Sequence, residues 1–125
     1  MTVQECYDRM GADYEGVMHR LVTEERVKKF IIKLPEDESF LHLCTAMEHQ
    51  DADDAFMWAH TLKGIAMNFG LTGLIENAGT MTEELRGGTI TPKAIEAFEK
   101  VKVSYPETIA LIGMLSEEGG LHGEQ

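Results

Sequence analysis

The sequence is poor in the residues that cross-link or interrupt small folds. Among its 125 residues are two cysteines, three prolines and one tryptophan. Cys6 and Cys44 lie far apart and belong to no C-x-x-C pair, so we expect free, buried thiols rather than a disulfide framework. No apolar run has the length of a membrane span, and the N-terminus lacks the basic flank and apolar stretch of a signal peptide. We therefore expect a cytoplasmic protein.

Positive charge is also scarce, since 11 Lys and Arg residues face 22 Asp and Glu residues and give a formal net charge of −11. This excess argues against nucleic acid or an anionic membrane as the main partner. The length suffices for one domain with a core but not for two. No stretch alternates apolar and polar residues as strands of a hairpin do, so we predict an all-α chain.

The most informative stretch is a predicted helix between Asp51 and Gly70. At about 100° per residue, His60 projects roughly 150° away from the apolar stripe of this helix, and Lys63 and Gly64 follow on the next turn. An outward imidazole beside a cation, with no side chain where bulk would block access, suits the acceptance of a phosphoryl group. The apolar stripe consists of Ala55, Ala59, Leu62, Ala66 and Phe69.

The apolar spacing predicts helices on both sides of this stretch. Two short N-terminal helices precede a helix that begins after Thr23 and ends at Pro35, and another begins at Asp37 or Ser39. Further helices cover residues 71–86 and a long segment that starts at Thr91-Pro92 and is kinked at Pro106. We expect an antiparallel up-down four-helix bundle with extra short N-terminal helices. The predicted parts are a helical cap (1–21), the bundle (22–116) and a flexible tail (117–125). Side chains expected to face inward on the flanking helices include Phe30, Cys44 and Ile95.

The spacing around the histidine follows a known pattern. His60, Leu62, Lys63, Gly64 and Gly70 match a histidine followed by a hydrophobic residue at +2, Lys at +3, Gly at +4 and Gly at +10. This resembles the signature of histidine-containing phosphotransfer (HPt) domains of two-component phosphorelays, over about residues 22–115. The resemblance implies a phosphocarrier rather than an enzyme, with His60 as acceptor through Nε2. Lys63 would offset the phosphoryl charge, and Gly64 would leave access.

The resemblance also implies the partner, which is the receiver domain of a response regulator or a hybrid histidine kinase. The chain has no glycine-rich phosphate loop and no acidic cluster around the histidine. We therefore expect the partner to supply Mg²⁺ and the aspartate, and the chain itself to need no cofactor and to be a monomer. Phe56, Met57 and Met67 flank the histidine, as at a transient protein interface, although packing at the edge of the core explains them equally well. Asn68 is a candidate hydrogen-bonding residue at that interface.

Other interpretations stay open. A bundle that binds receivers without being phosphorylated would present the same surface. The extra N-terminal helices also fit the detached input domain of a larger kinase, in which case a kinase domain would be the donor. His42 and His49 lie seven residues apart on one helix face and suggest a metal-binding bundle, but catalytic zinc takes three protein ligands. A glycine at position 64 is explained either by another helix that packs closely there or by a ligand that must approach. The outward direction of this position favours the ligand.

Overall fold

The computed structural model describes the backbone of residues 1–123 and the side chains of residues 1–115. The backbone in this range contains helices and turns and no strand, which confirms the predicted all-α class. A short 3₁₀ turn at Leu34–Glu36 separates the third helix from the fourth. The helices are α1 (Val3–Met10), α2 (Tyr14–Leu21), α3 (Glu24–Ile31), α4 (Ser39–Glu48), α5 (Ala52–Phe69), α6 (Thr72–Leu85) and α7 (Pro92–Gly123).

The four longest helices, α4 to α7, enclose the core. α5 packs against α4 on one side and α6 on the other, and α6 packs against α7. The rings of Phe40 and Tyr105 stack with centroids 4.5 Å apart and join α4 to α7. This pairing of sequence neighbours through short loops is the one found in four-helix bundles. The largest side chains that are fully buried in the bundle helices are Leu43, Leu62, Met81, Leu85, Ile112 and Leu115.

The two N-terminal helices attach to the C-terminal end of α5, and α1 also lies against α7. We call α1, α2 and the turn between them the clasp (residues 3–21). Four of its hydrogen bonds join it to the junction of α5 and α6. They are Tyr7 Oη to the Phe69 carbonyl at 2.8 Å, Asp13 N to the Gly70 carbonyl at 2.8 Å, Thr72 Oγ1 to the Gly11 carbonyl at 2.8 Å, and Arg20 Nη1 to the Met67 carbonyl.

The third helix differs from its prediction. α3 ends at Ile31, one turn before Pro35, and the proline lies in the 3₁₀ turn that follows. Phe30, which the spacing places on the buried stripe, is 43% exposed. The reason is the length of α3, since its buried face has room only for Val27 and Ile31. The prediction that Phe30 faces inward is therefore wrong.

The last helix confirms one prediction and corrects another. α7 continues through Pro106 as a single helix. Ile95, expected to face inward, is 47% exposed because Ala94 and Ala97 face the core instead. The helical backbone runs to Gly123, whereas the sequence predicts its end before residue 117. The side chains of the predicted flexible tail (117–125) and the backbone of its last two residues lie outside the described residues, and its flexibility stays a prediction.

The two thiols lie in different environments. Both cysteines are free, and Cys6 is buried. Burial raises the pKa of Cys6, although the charge of Arg9 acts in the opposite direction. Cys44 is only half-buried, so the expected burial is found for the first cysteine and not for the second.

Candidate functional site

The helix that carries the candidate site, α5, has a defined start, end and buried face. Asp51 Oδ1 accepts a hydrogen bond from Asp54 N at 3.1 Å and caps the first turn. Gly70 adopts φ +68° and ends the helix in the left-handed conformation that glycine favours. Small side chains on the buried face allow α4 and α6 to approach closely. Its buried residues are Ala55, Ala59, Leu62 and Ala66, as predicted, while Phe69 is half-buried.

His60 is exposed on the opposite face of α5. Its ring lies beside that of Phe56, with 6.2 Å between centroids and 30° between planes. Phe56 is half-buried and packs against the core. The guanidinium of Arg86, at the end of α6, lies 5.3 Å from the centroid of the Phe56 ring. An aromatic ring that is fixed by the core therefore supports the imidazole, and a cation covers that ring.

Lys63 is half-buried against α6 rather than free in solvent. Its Cε and Cδ would lie 3.8 and 3.9 Å from a Cβ added at Gly79, so the aliphatic stem crosses α6 where that helix has no side chain. A hydrogen bond from Arg86 and its charge lower the pKa of Glu83, and the charge of Lys63 acts in the same direction. Arg86 Nη2 lies 3.0 Å from Glu83 Oε1. Two cations thus lie along the boundary between α5 and α6, and Lys63 follows His60 by one turn of α5.

Gly64 faces open space. Apart from its chain neighbours and the backbone of its own helix, a Cβ added there would meet no atom within 4 Å among the described residues. Close packing of another helix is therefore not the reason for this glycine. Because a glycine inside a helix costs roughly 1 kcal/mol relative to alanine, the open space is retained at the expense of stability.

The other predicted contact residues also lie on the open side of α5. Met57 is 48% exposed and Met67 is 47% exposed, and Asn68 is exposed as well. His60, Gly64 and Asn68 are spaced by four residues and form one row along the helix. All the residues predicted for the site therefore belong to one helix, and its exposed side presents most of them.

Sequence reasoning missed the contributions of two other helices. Gly79, Glu83 and Arg86 come from α6, and Arg20 comes from α2, where its guanidinium donates to the Met67 carbonyl. The first three are spaced by four and three residues, which places them on one face of their helix. The spacing indicates a shared face of α6, but it assigns these residues to the site only when α6 is known to pack beside α5.

The histidine pair considered as a metal site has other contacts. The His42 ring stacks on Trp58 with centroids 4.5 Å apart, and His42 Nε2 lies 3.5 Å from Glu38 Oε2. His49 is exposed. Among the side chains of residues 1–115, no three His, Cys, Asp or Glu groups come together as a metal site would require.

The comparisons with known proteins agree with the signature. The family model of the Hpt domain matches residues 27–117, which include most of α3 and all of α4, α5 and α6. Neither a curated protein nor a solved structure matches the chain in the corresponding comparisons. Within residues 1–123, no helix is both long enough and apolar enough to cross a membrane. The chain belongs to the Hpt domain family, the histidine phosphotransfer modules of phosphorelays, whose members interact with receiver domains or histidine kinases.

Proposed function

We propose that this chain is a phosphocarrier that accepts a phosphoryl group on His60 from a receiver-domain aspartate, or from a kinase domain, and passes it to another response regulator. The observation that carries the proposal is the exposure of this imidazole beside the open space at Gly64, in a member of the Hpt family. A phosphoryl donor carried by another domain needs such open access, because the reacting atoms have to meet across an interface.

The transfer is a displacement at phosphorus. A lone pair on one ring nitrogen of His60 forms the N–P bond while the O–P bond to the partner's aspartate breaks and the carboxylate leaves with the bonding electrons. The proton on the other ring nitrogen can then pass to water. In the second step a carboxylate oxygen of another receiver forms the O–P bond while the N–P bond breaks, and the departing ring takes back a proton from water to become the neutral imidazole again. Mg²⁺ at the partner's aspartate would neutralise charge on the transferred oxygens.

Lys63 and Arg86 support the step electrostatically. Charge on the phosphoryl oxygens is stabilised best by groups that are already in place before the reaction. The stem of Lys63 is held against α6 at Gly79, so its ammonium needs little reordering. Arg86 is held in place by Glu83 and by the ring of Phe56. Both cations partly oppose the net charge of −11, which otherwise repels an anionic donor site.

Met57 and Met67 provide the apolar part of the docking surface. Each exposes nearly half of its surface, 48% and 47% respectively. Methionine side chains are flexible and polarizable and adapt to more than one surface. A carrier that receives from one domain and delivers to another requires such adaptability. Asn68, exposed further along the helix, is proposed to hydrogen-bond with the partner.

The test is transfer from a panel of purified receiver domains that carry labelled phosphoryl groups, in the presence of Mg²⁺. We expect acid-labile, alkali-stable label on the parent protein and none on His60→Gln. Lys63→Ala should slow the transfer on the order of tenfold without abolishing it, because its ammonium is partly solvated. His49→Gln, which alters another exposed histidine, is the matched control and should accept label like the parent.

Two results would contradict the proposal. Label that persists on His60→Gln would place the acceptor elsewhere. A stable complex with a receiver, but no label on the parent protein from any donor, would show a docking module that is not phosphorylated.

A further inference from the structure

A cleft of about 490 Å³ opens at the end of the bundle that lies opposite the clasp. It is formed by the loop between α4 and α5, the loop between α6 and α7, and the first turn of α7. The volume is within the range of about 300–1,000 Å³ that is usual for binding pockets. We call it the loop cleft and define it by an apolar wall and two loop residues, which are Met47, Ala52, Ile90 and Ile95, with Gln50 and Gly88.

The apolar wall is only partly covered by the rest of the protein. Met47, Ala52 and Ile90 are half-buried and pack against the core. Ile95 is 47% exposed, because Ala94 and Ala97 occupy the core beside it. Exposed apolar side chains that gather around a concave surface are typical of interaction sites.

Gln50 adopts a backbone conformation that favours glycine. Its φ is +55°, its N–H donates to the Met47 carbonyl at 3.1 Å, and Asp51 N donates to the Ala46 carbonyl at 2.9 Å. This is the Schellman ending of a helix, in which glycine usually takes the left-handed position. The Gln50 amide has no hydrogen-bond partner within residues 1–115. A glutamine that costs stability and leaves its amide free is consistent with a use of that amide at the cleft.

Negative charge lies beside the apolar wall. Asp53 Oδ1 would lie 4.0 Å from a Cβ added at Gly88, so the carboxylate stands at one of the two loops of the cleft. Asp53 is exposed and forms no ion pair within the described side chains. The sequence has no Lys or Arg in residues 34–62. Three further carboxylates of the same loop and helix start are Glu48, Asp51 and Asp54.

The cations of the neighbouring helices have other positions. Arg86 Nη2 lies 3.0 Å from Glu83 Oε1. Lys93, in the first turn of α7, lines a separate groove between α6 and α7. The loop cleft therefore combines an apolar wall with negative charge that these cations do not neutralise.

We propose that the loop cleft binds a segment of a partner protein in which an apolar side chain stands beside Lys or Arg, as on a basic amphipathic helix. The apolar side chain would contact Ile90 and Ile95, and the cation would face Asp53. Complementary charge of this kind steers the partner and rejects acidic segments. The α5 helix has 18 residues and is about 27 Å long, which separates this cleft from the clasp.

Other occupants fit the loop cleft less well. A small-molecule site encloses most of its ligand, whereas Gln50, Gly88 and Ile95 are exposed and leave this cleft open. A second copy of the chain would bring a net charge of −11 to an acidic surface. Residues 116–125 contain no Lys or Arg and cannot supply the cation.

The experiment measures the binding of three fluorescent peptides to the full chain by anisotropy. Each peptide has about 14 residues, which corresponds to about four turns of helix. The first carries leucine on one helix face and lysine on both flanks of that face. The second has Glu in place of every Lys, and the third has Ser in place of every Leu. We expect saturable binding of the first peptide and binding of the other two that is weaker by about tenfold or more.

Variants of the chain locate the binding. Ile95→Ser should raise the dissociation constant of the first peptide about tenfold, because it removes an apolar anchor. Asp53→Asn should raise it about threefold, because an exposed ion pair contributes little. The matched controls, Val103→Ser and Glu107→Gln, alter exposed positions of α7 and should bind like the parent.

Gln50→Gly separates binding from folding. Glycine adopts the left-handed conformation without strain, so the midpoint of urea unfolding should rise. The dissociation constant should nevertheless rise about threefold, as the loss of a hydrogen bond from the amide would cause. A variant that is more stable and binds more weakly cannot owe its weaker binding to unfolding.

Three results would overturn the inference. The first is equal binding of the lysine and glutamate peptides. The second is equal binding of the lysine peptide by the parent, Ile95→Ser and Gln50→Gly. The third is binding that is lost in Met57→Ser but kept in Ile95→Ser, which would place the peptide on the surface around His60. His60→Gln should bind the peptide like the parent, so this test is independent of phosphoryl transfer.

Discussion

Two glycines of one helix motif, Gly64 and Gly70, have opposite surroundings. At the first, in the middle of α5, an added Cβ would meet nothing within 4 Å. At the second, where the helix ends, φ is +68° and an added Cβ would lie 2.8 Å from the backbone oxygen of Asp13. The middle of the helix is open to solvent, whereas its end is enclosed by the clasp.

The difference separates a position without a packing role from a requirement of folding. Gly64 costs stability and has no packing partner within the described residues, which is consistent with the access proposed for it beside His60. Gly70 allows both the left-handed turn and the contact with Asp13, whose N donates to the Gly70 carbonyl at 2.8 Å. Its role as a helix cap was predicted, and the structure adds the attachment of the clasp.

The largest effect on stability is expected for Gly70→Ala. A left-handed alanine costs about 1–2 kcal/mol. Displacing the Asp13 backbone costs about 1–3 kcal/mol more, which is the usual cost of overpacking. Unfolding in urea should therefore show a loss of about 3 kcal/mol. Gly73→Ala is the control, since an added Cβ there meets nothing within 4 Å. A loss of only about 1–2 kcal/mol relative to the control, the cost of the left-handed alanine alone, would show that an added Cβ does not displace the clasp from the end of α5.

Substitutions at Gly64 should affect phosphoryl transfer and should not lower stability. Gly64→Ala should raise the free energy of unfolding by about 0.5–1 kcal/mol, because alanine is the better helix former. Gly64→Gln should slow transfer from a receiver about tenfold or more, because misplaced reacting atoms lose the advantage of proximity. Labelling by a small phosphoramidate donor should change much less.

Gly113→Ala provides the control for that pair. Gly113 lies inside α7, and an added Cβ there also meets nothing within 4 Å. The substitution should stabilise the chain by a similar amount and leave transfer unchanged. If Gly64→Gln transferred as fast as the parent, the open space would have no role in docking.

Most of α5 could be predicted because its determinants are local. The spacing of alanines and leucine, the cap at Asp51 and the stop at Gly70 all lie within the helix, and together they fix the direction of His60. Phe30 and Ile95 were placed wrongly because periodicity gives the direction of a side chain but not whether another element covers it. α3 is short, and α7 turns small alanines toward the core.

The rest of the site depends on contacts between distant residues. Arg86 and Gly79 belong to the site only because α6 packs beside α5, and the clasp reaches the end of α5 through Tyr7, which bonds to a carbonyl 62 positions away. The periodicity of one helix carries no information on its neighbours. The signature was sufficient to propose His60 as the reacting residue, whereas the charges around it could be assigned only from the fold.

A smaller effect should come from Tyr7→Phe. The Tyr7 hydroxyl donates to the Phe69 carbonyl at 2.8 Å, and the side chain is fully buried. Loss of one buried hydrogen bond should lower the free energy of unfolding by about 1 kcal/mol. Faster amide exchange in the last turn of α5 should accompany it, because this bond attaches the clasp there. Unchanged exchange would indicate that the other contacts of the clasp hold it on α5 without this bond.

The smallest effect is expected for Tyr105→Phe. This variant tests whether the loss of stability in Tyr7→Phe comes from the attachment of the clasp or only from the burial of a hydroxyl. Tyr105 is 6% exposed, and its Oη has no hydrogen-bond partner within the described part of the chain. Removing it should leave stability at pH 7 unchanged or raise it by up to about 1 kcal/mol.

The same variant should respond differently to alkali. Burial, together with the negative charge of Asp37, raises the pKa of Tyr105 to about 12 from an ordinary value of 10.0. The folded state therefore keeps this proton more tightly than the unfolded state does. The contribution of Tyr105 to stability is complete below pH 10.0 and is lost as the pH rises toward about 12. Urea unfolding across this range should show a shallower decline for Tyr105→Phe than for the parent. Identical declines in the parent and Tyr105→Phe would mean that solvent reaches the Tyr105 phenol. Tyr105 would then no longer serve as the buried, unpaired hydroxyl with which Tyr7 is compared.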